Sequence, residues 1–125
     1  MEIARETTEA NVIRAWEPGR VRIGQAWFEG HLVVAADRII TGWTVASPAD
    51  VGLAALQPAL DLDPEIVLLG TGAEILLPDT GLMAALAARS VGLEIMSTPA
   101  ACRTFNVLLH EERRVVAALF NPPEG

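Results

Sequence analysis

Three places in this 125-residue chain carry residue types and spacings that could do chemistry. The first is Cys102, the only thiol. Thr98-Pro99 opens a helix to about Leu109, so Cys102 lies about one turn in, where the helix dipole and neighbouring Arg103 would favour a thiolate. At about 100° per residue, however, Ala101, Cys102, Phe105, Leu108 and Leu109 form one contiguous stripe, which turns the thiol toward the core as a small hydrophobe. Neither His31 nor His110 has a neighbour that completes a Cys–His or Ser–His pair, and no G-x-S-x-G elbow is present. No catalytic residue is assigned, and Cys102 is read as structural.

The second place is Gly70-Thr71-Gly72, where a glycine turn after an apolar strand could present backbone amides to an anion. With Thr98 and Arg103 it makes a candidate ligand site at the carboxyl ends of the strands. The third glycine of a dinucleotide fingerprint is missing, and Glu74 would repel phosphate, so a plain tight turn is expected. The third place is the outer side of the Cys102 helix, where Arg103, Asn106 and His110 fall on one line and could form a recognition strip. Alternatively Arg103 pairs with Glu94 or Glu111. Glu94 stands between Leu93 and Ile95, and if buried it needs a partner, which assigns it a structural role beside Cys102.

Absent residue types exclude more. All nine cationic residues are arginine, so there is no Schiff-base lysine and no P-loop lysine. One cysteine and two histidines fall short of a structural zinc site, and no metal or cofactor is expected. A net charge of −7 would repel a phosphate backbone, which argues against nucleic acid. Apolar runs such as Leu32 to Ala36 and Leu82 to Ala88 are far shorter than the ~18 residues of a membrane span. The first residues have neither the basic-then-apolar pattern of an export signal nor the acid-poor look of a transit peptide. A cytoplasmic, reducing setting is expected.

Positioning these residues falls to one domain over residues 11–120, with flexible ends at 1–10 and 121–125. Before residue 47, β-prone runs separated by turn signals predict antiparallel strands at Asn11–Trp16, Val21–Ile23, Ala26–Phe28, Leu32–Ala35 and Ile39–Val45. Beyond it, Ser47-Pro48-Ala49-Asp50 predicts a helix start and Pro58 its end. Ile66–Leu69, apolar throughout, predicts a strand covered on both faces and central in the sheet. Asp79 or Thr80 should cap a helix carrying Leu82, Met83, Leu86 and Ser90 on one side, stopped by Gly92 in a left-handed conformation. A strand at Leu93–Met96, the Cys102 helix and a last strand at Val115–Phe120 follow. The order β-α-β-α-β-α-β after the antiparallel strands predicts an α/β sheet with helices over its faces.

Pro64-Glu65-Ile66-Val67-Leu68-Leu69-Gly70-Thr71-Gly72, the stretch from Gly92 to Leu109, and Arg114 to Leu119 together resemble the small Mth-type domain-of-unknown-function family. That family includes the adipogenesis-associated Mth-domain protein and the mitochondrial complex I assembly factor three proteins. The resemblance runs over about residues 11–120 and is most specific from Met96 to Leu109. It implies a three-layer α/β single domain around a central mixed sheet, no established reaction or cofactor, and a bias toward protein partnership. The leading functional expectation is therefore a non-enzymatic interaction or assembly module with a protein partner, self-association included. A small-ligand or anion-binding domain ranks second, and a Cys102-dependent enzyme third.

Overall fold

The structure, a computed structural model, describes residues 10–124. Residues 1–9 and Gly125, most of the expected flexible ends, lie outside the described residues. Alternating side chains and short glycine turns shape the first strands, β1 (Ile13–Glu17), β2 (Arg20–Ile23) and β3 (Ala26–Glu29), into a three-stranded antiparallel sheet in that order. Gly19, at φ 91°, makes the tight β1–β2 turn possible. Ile13, Val21 and Ile23 point inward, whereas Arg14 and Arg22 are exposed. The β1–β2 register slips between Ile13 and Ala15, at Arg14.

A second sheet holds β4 (Leu32–Ala35), β5 (Arg38–Thr41), β6 (Ile66–Gly70), β7 (Gly92–Met96) and β8 (Val115–Leu119) in the order β5-β4-β8-β6-β7. Strand β4 runs antiparallel to β5 and β8, and β6 runs parallel to β7 and β8, so the sheet is mixed. The middle position belongs to β8, with β6 beside it. Both strands are continuous apolar runs buried on both faces, so composition alone could not rank them.

Each face of this sheet carries its own core. On one side Val33, Val67, Leu69, Val116 and Ala118 pack under Val51, Leu56, Ala59, Leu82 and Leu86. These cover residues come from a 3₁₀ turn at Pro48–Asp50 and its sequel, from α1 (Gln57–Leu60) and from α2 (Leu82–Ala87). On the other side Leu32, Val34, Leu68, Ala117 and Leu119 meet Ile13, Val21 and Ile23 of the small sheet and Ala101, Cys102 and Phe105 of α3 (Thr98–His110). The result is a three-layer α/β domain around a mixed sheet.

Several local expectations are corrected. The single helix expected between Ser47 and Pro58 is split, and Pro58 lies in the first turn of α1, where a helix needs no amide donor from it. The Ser47 hydroxyl donates to the Asp50 carboxylate at 3.2 Å instead of accepting from an amide. Neither Asp79 nor Thr80 caps α2; Gly81 holds the N-cap position, and the Asp79 carbonyl accepts from the Leu82 amide at 3.1 Å. Ser90, at φ 62°, takes the left-handed position assigned to Gly92, and Gly92 begins β7. Strand β5 stops at Thr41, before Gly42 at φ 71°, rather than reaching Val45. Asn121, expected in the loose C-terminal tail, is buried and hydrogen-bonded.

Candidate functional site

Gly70, Thr71, Gly72 and Thr98 do come together, but their polar groups face one another. The Thr98 hydroxyl accepts from the Gly72 amide and donates to the Phe120 carbonyl, both at 2.7 Å, while the Thr98 amide donates to the Gly72 carbonyl at 2.7 Å. The Thr71 amide is spent on Met96, and its hydroxyl donates to the Glu74 carbonyl at 2.6 Å and accepts from Leu76. Thr71 and Thr98 are buried. The amides of Thr71 and Gly72 therefore join the ends of β6, β7 and β8 to α3 instead of facing an anion. Gly72 sits at φ 102°. Gly70 has an ordinary backbone, but a Cβ there would lie 3.0 Å from the Thr98 Cα, from its Oγ1 and from Leu119.

Thr98 is also not the N-cap of α3. That role falls to Ser97, whose hydroxyl accepts from the Ala100 amide at 3.3 Å, which leaves Thr98 free for its knot of hydrogen bonds with Gly72 and Phe120. One turn further, Cys102 is buried, as the apolar stripe predicts. Burial pushes its thiol up to about 12, against a small opposing pull from Arg103. At neutral pH it is a packed thiol rather than a nucleophile.

The polar line on the outer side of α3 divides. Asn106 is not available for recognition, because its side-chain amide donates to the Ile13 carbonyl at 2.8 Å and accepts from the Ile13 amide at 2.9 Å. It acts as a strand-like partner that fastens α3 to β1. Arg103 and His110 are exposed, and His110, in the last turn, suits the negative end of the helix. Glu94 is exposed on β7, and among the described residues no ion pair joins it to Arg103. The buried Glu94–Arg103 pair is corrected accordingly: alternation does turn Glu94 away from Leu93, but β7 is an edge strand and that face meets solvent.

Sequence reasoning passed over three features. Ile75, Leu76 and Leu77, in the loop after the knot, are 59%, 51% and 71% exposed. Their signal was an apolar run outside every strand and helix pattern. His31 packs its ring on Phe120, with centroids 4.1 Å apart, and its Nδ1 accepts from the Asn121 amide at 2.7 Å. Burial lowers its pKa. Glu65 receives the Arg114 amide at 3.0 Å and the Arg113 guanidinium at 2.9 Å, bonds that in that order of importance hold its carboxyl below its usual value. Among the described residues no group of three or more His, Cys, Asp or Glu could hold a metal ion, and no helix is long and apolar enough to cross a membrane.

Known proteins place this arrangement in a group. A zebrafish relative named NADH dehydrogenase (ubiquinone) 1 alpha subcomplex assembly factor 3 is 32% identical over 97% of this chain and 70% of its own length. The chain spans about half the length of the mammalian proteins of that name. A crystal structure of a Bordetella parapertussis protein shares 37% identity over 91% of this chain and 98% of its own, with a TM-score of 0.83. A solution structure of a Bordetella pertussis Mth938-like domain shares 32% identity over 93% of this chain and 88% of its own, with a TM-score of 0.77. Residues 13–120 match the model of a family described as protein of unknown function (DUF498/DUF598), and the chain belongs to that family.

Proposed function

We propose that this domain works by holding a protein partner during assembly and not by transforming a small molecule. The observation that carries this reading is the likeness, over nearly the whole chain, to a protein named as an NADH dehydrogenase assembly factor. The inward use of the Thr71, Gly72 and Thr98 polar groups and the burial of Cys102 support it, because they remove the two places where the sequence suggested ligand or nucleophile chemistry. The partner class that fits is a polypeptide awaiting incorporation into a larger complex, with NADH dehydrogenase subunits as first candidates. The single free thiol suits a cytoplasmic, reducing compartment.

Affinity purification of the tagged full chain from its own cells at physiological salt tests the reading. Stoichiometric recovery of a specific protein, lost when the untagged chain is added in excess, is the expected result. Recovery of the chain alone, together with micromolar binding of a metabolite in a thermal-shift screen, would replace partner holding with ligand binding.

A further inference from the structure

The chain carries a net charge of −7, yet positive charge gathers where the small sheet meets α3. Because Ile13, Val21 and Ile23 fill the core, alternation sends Arg14 and Arg22 outward. Arg103 stands on the exposed side of α3, and the paired bonds from Asn106 to Ile13 hold that helix against β1. A groove of about 260 Å³ runs between β1 and α3, bordered by Arg14, Trp16, Pro99, Cys102 and Arg103. A second, of about 640 Å³, is bordered by Arg14, Arg22, Gln25 and Ile39. Among the described residues no Asp or Glu borders either one. Arg20, Arg113 and Arg114 each face a carboxylate, whereas among the described residues none pairs with Arg14, Arg22 or Arg103, nor with Arg38 and Arg89 away from the grooves.

We propose that these two grooves, which share Arg14 as a bordering residue, receive an acidic polypeptide segment of the partner. The inference rests on the partner-holding reading and adds the surface and the chemistry. Asp and Glu side chains of the segment meet the guanidinium groups of Arg14, Arg22 and Arg103, whose planar forks match carboxylates. An apolar side chain settles between Trp16 and Pro99. A long polyanion such as nucleic acid would meet the acidic remainder of the molecule, while a short acidic segment is governed by the local positive field. The apolar part of the narrower groove also suits an amino-acid side chain better than a phosphate.

Photo-crosslinking of the full chain in extract of its own cells reads the occupant, with p-benzoylphenylalanine placed at Gln25 on the groove rim or at Leu77 in the exposed apolar loop. From Gln25 the attached peptide should be net acidic. Its yield should fall about tenfold in the Arg14→Glu/Arg22→Glu background, and in Arg103→Glu alone, at an unchanged melting temperature, and return in part with Arg14→Lys/Arg22→Lys. Attachment from Leu77 only would overturn the groove while leaving a protein partner in place. Attachment at Gln25 to a neutral or basic peptide, or to nucleic acid, would overturn the acidic class. No protein attached from either position would overturn both this inference and the partner-holding reading.

Discussion

Asn106 shows how one side chain can serve architecture where its type suggests recognition. It pairs with both backbone groups of Ile13, so Asn106→Ala leaves a donor and an acceptor without partners and should cost about 1–3 kcal/mol in chemical denaturation. Asn106→Asp keeps the acceptor but sets a carboxylate against the Ile13 carbonyl, so its deficit should shrink as acid protonates it. Cys102 gives a second residue-scale test. With the thiol raised from 9.0 to about 12 in the folded chain, stability from this group is complete below pH 9 and declines as pH rises toward 12, because only the unfolded chain ionises there. A thiol reagent at neutral pH should label the native protein slowly and the urea-unfolded protein rapidly; Cys102→Ser should cost about 1–3 kcal/mol. His31 works in the opposite direction. Its lowered pKa means that stability present above 6.5 is lost as pH falls below it, and His31→Phe should remove that part of the slope. The decline from Glu65 lies lower, below its ordinary 4.5, so the two windows separate in a pH series of melting curves.

At the scale of elements, the knot between β6, α3 and β8 is the joint that sets the three layers. Gly70→Ala forces a methyl group to within 3.0 Å of the Thr98 backbone and should destabilise by about 1–3 kcal/mol, read from the denaturant midpoint. Thr98→Val keeps the shape but removes both buried bonds of the hydroxyl, at a cost of about 2 kcal/mol or more. Strands Leu32–Ala35 and Ile66–Leu69 and the Cys102 helix were legible in the sequence because each had an unbroken apolar run or stripe between strong turn and cap signals. What escaped was set by tertiary contact. The Trp43 indole donates to the Ala55 carbonyl at 2.7 Å and helps hold the irregular stretch expected to be one helix. Ser97 and Thr98 are adjacent hydroxyls that either could cap, and only the approach of Gly72 and Phe120 decides that Thr98 does not. Asn106 and Arg103 looked alike as exposed polar groups of one helix, since nothing local reveals that Ile13, 93 residues away in sequence, occupies Asn106.

Seen as a whole molecule, the chain uses Thr71, Thr98, Cys102 and Asn106 to hold itself together and leaves a small arginine-lined surface on an acidic body. Recognition through that surface, and not thiol chemistry, is the role proposed for the molecule. The direct measurement is quantitative recovery of the captured partner by wild type, Cys102→Ala and the Arg14→Glu/Arg22→Glu/Arg103→Glu chain, each with its melting temperature. Since these arginines are exposed, the triple variant should stay folded, with surface substitutions each worth about 0.5 kcal/mol or less. Partner recovery should nevertheless drop about tenfold or more in the triple variant, and Cys102→Ala, which trims an uncharged residue bordering the narrower groove, should keep most of the wild-type recovery. Full recovery by the triple variant, with loss confined to a folded Cys102→Ala chain, would contradict the account.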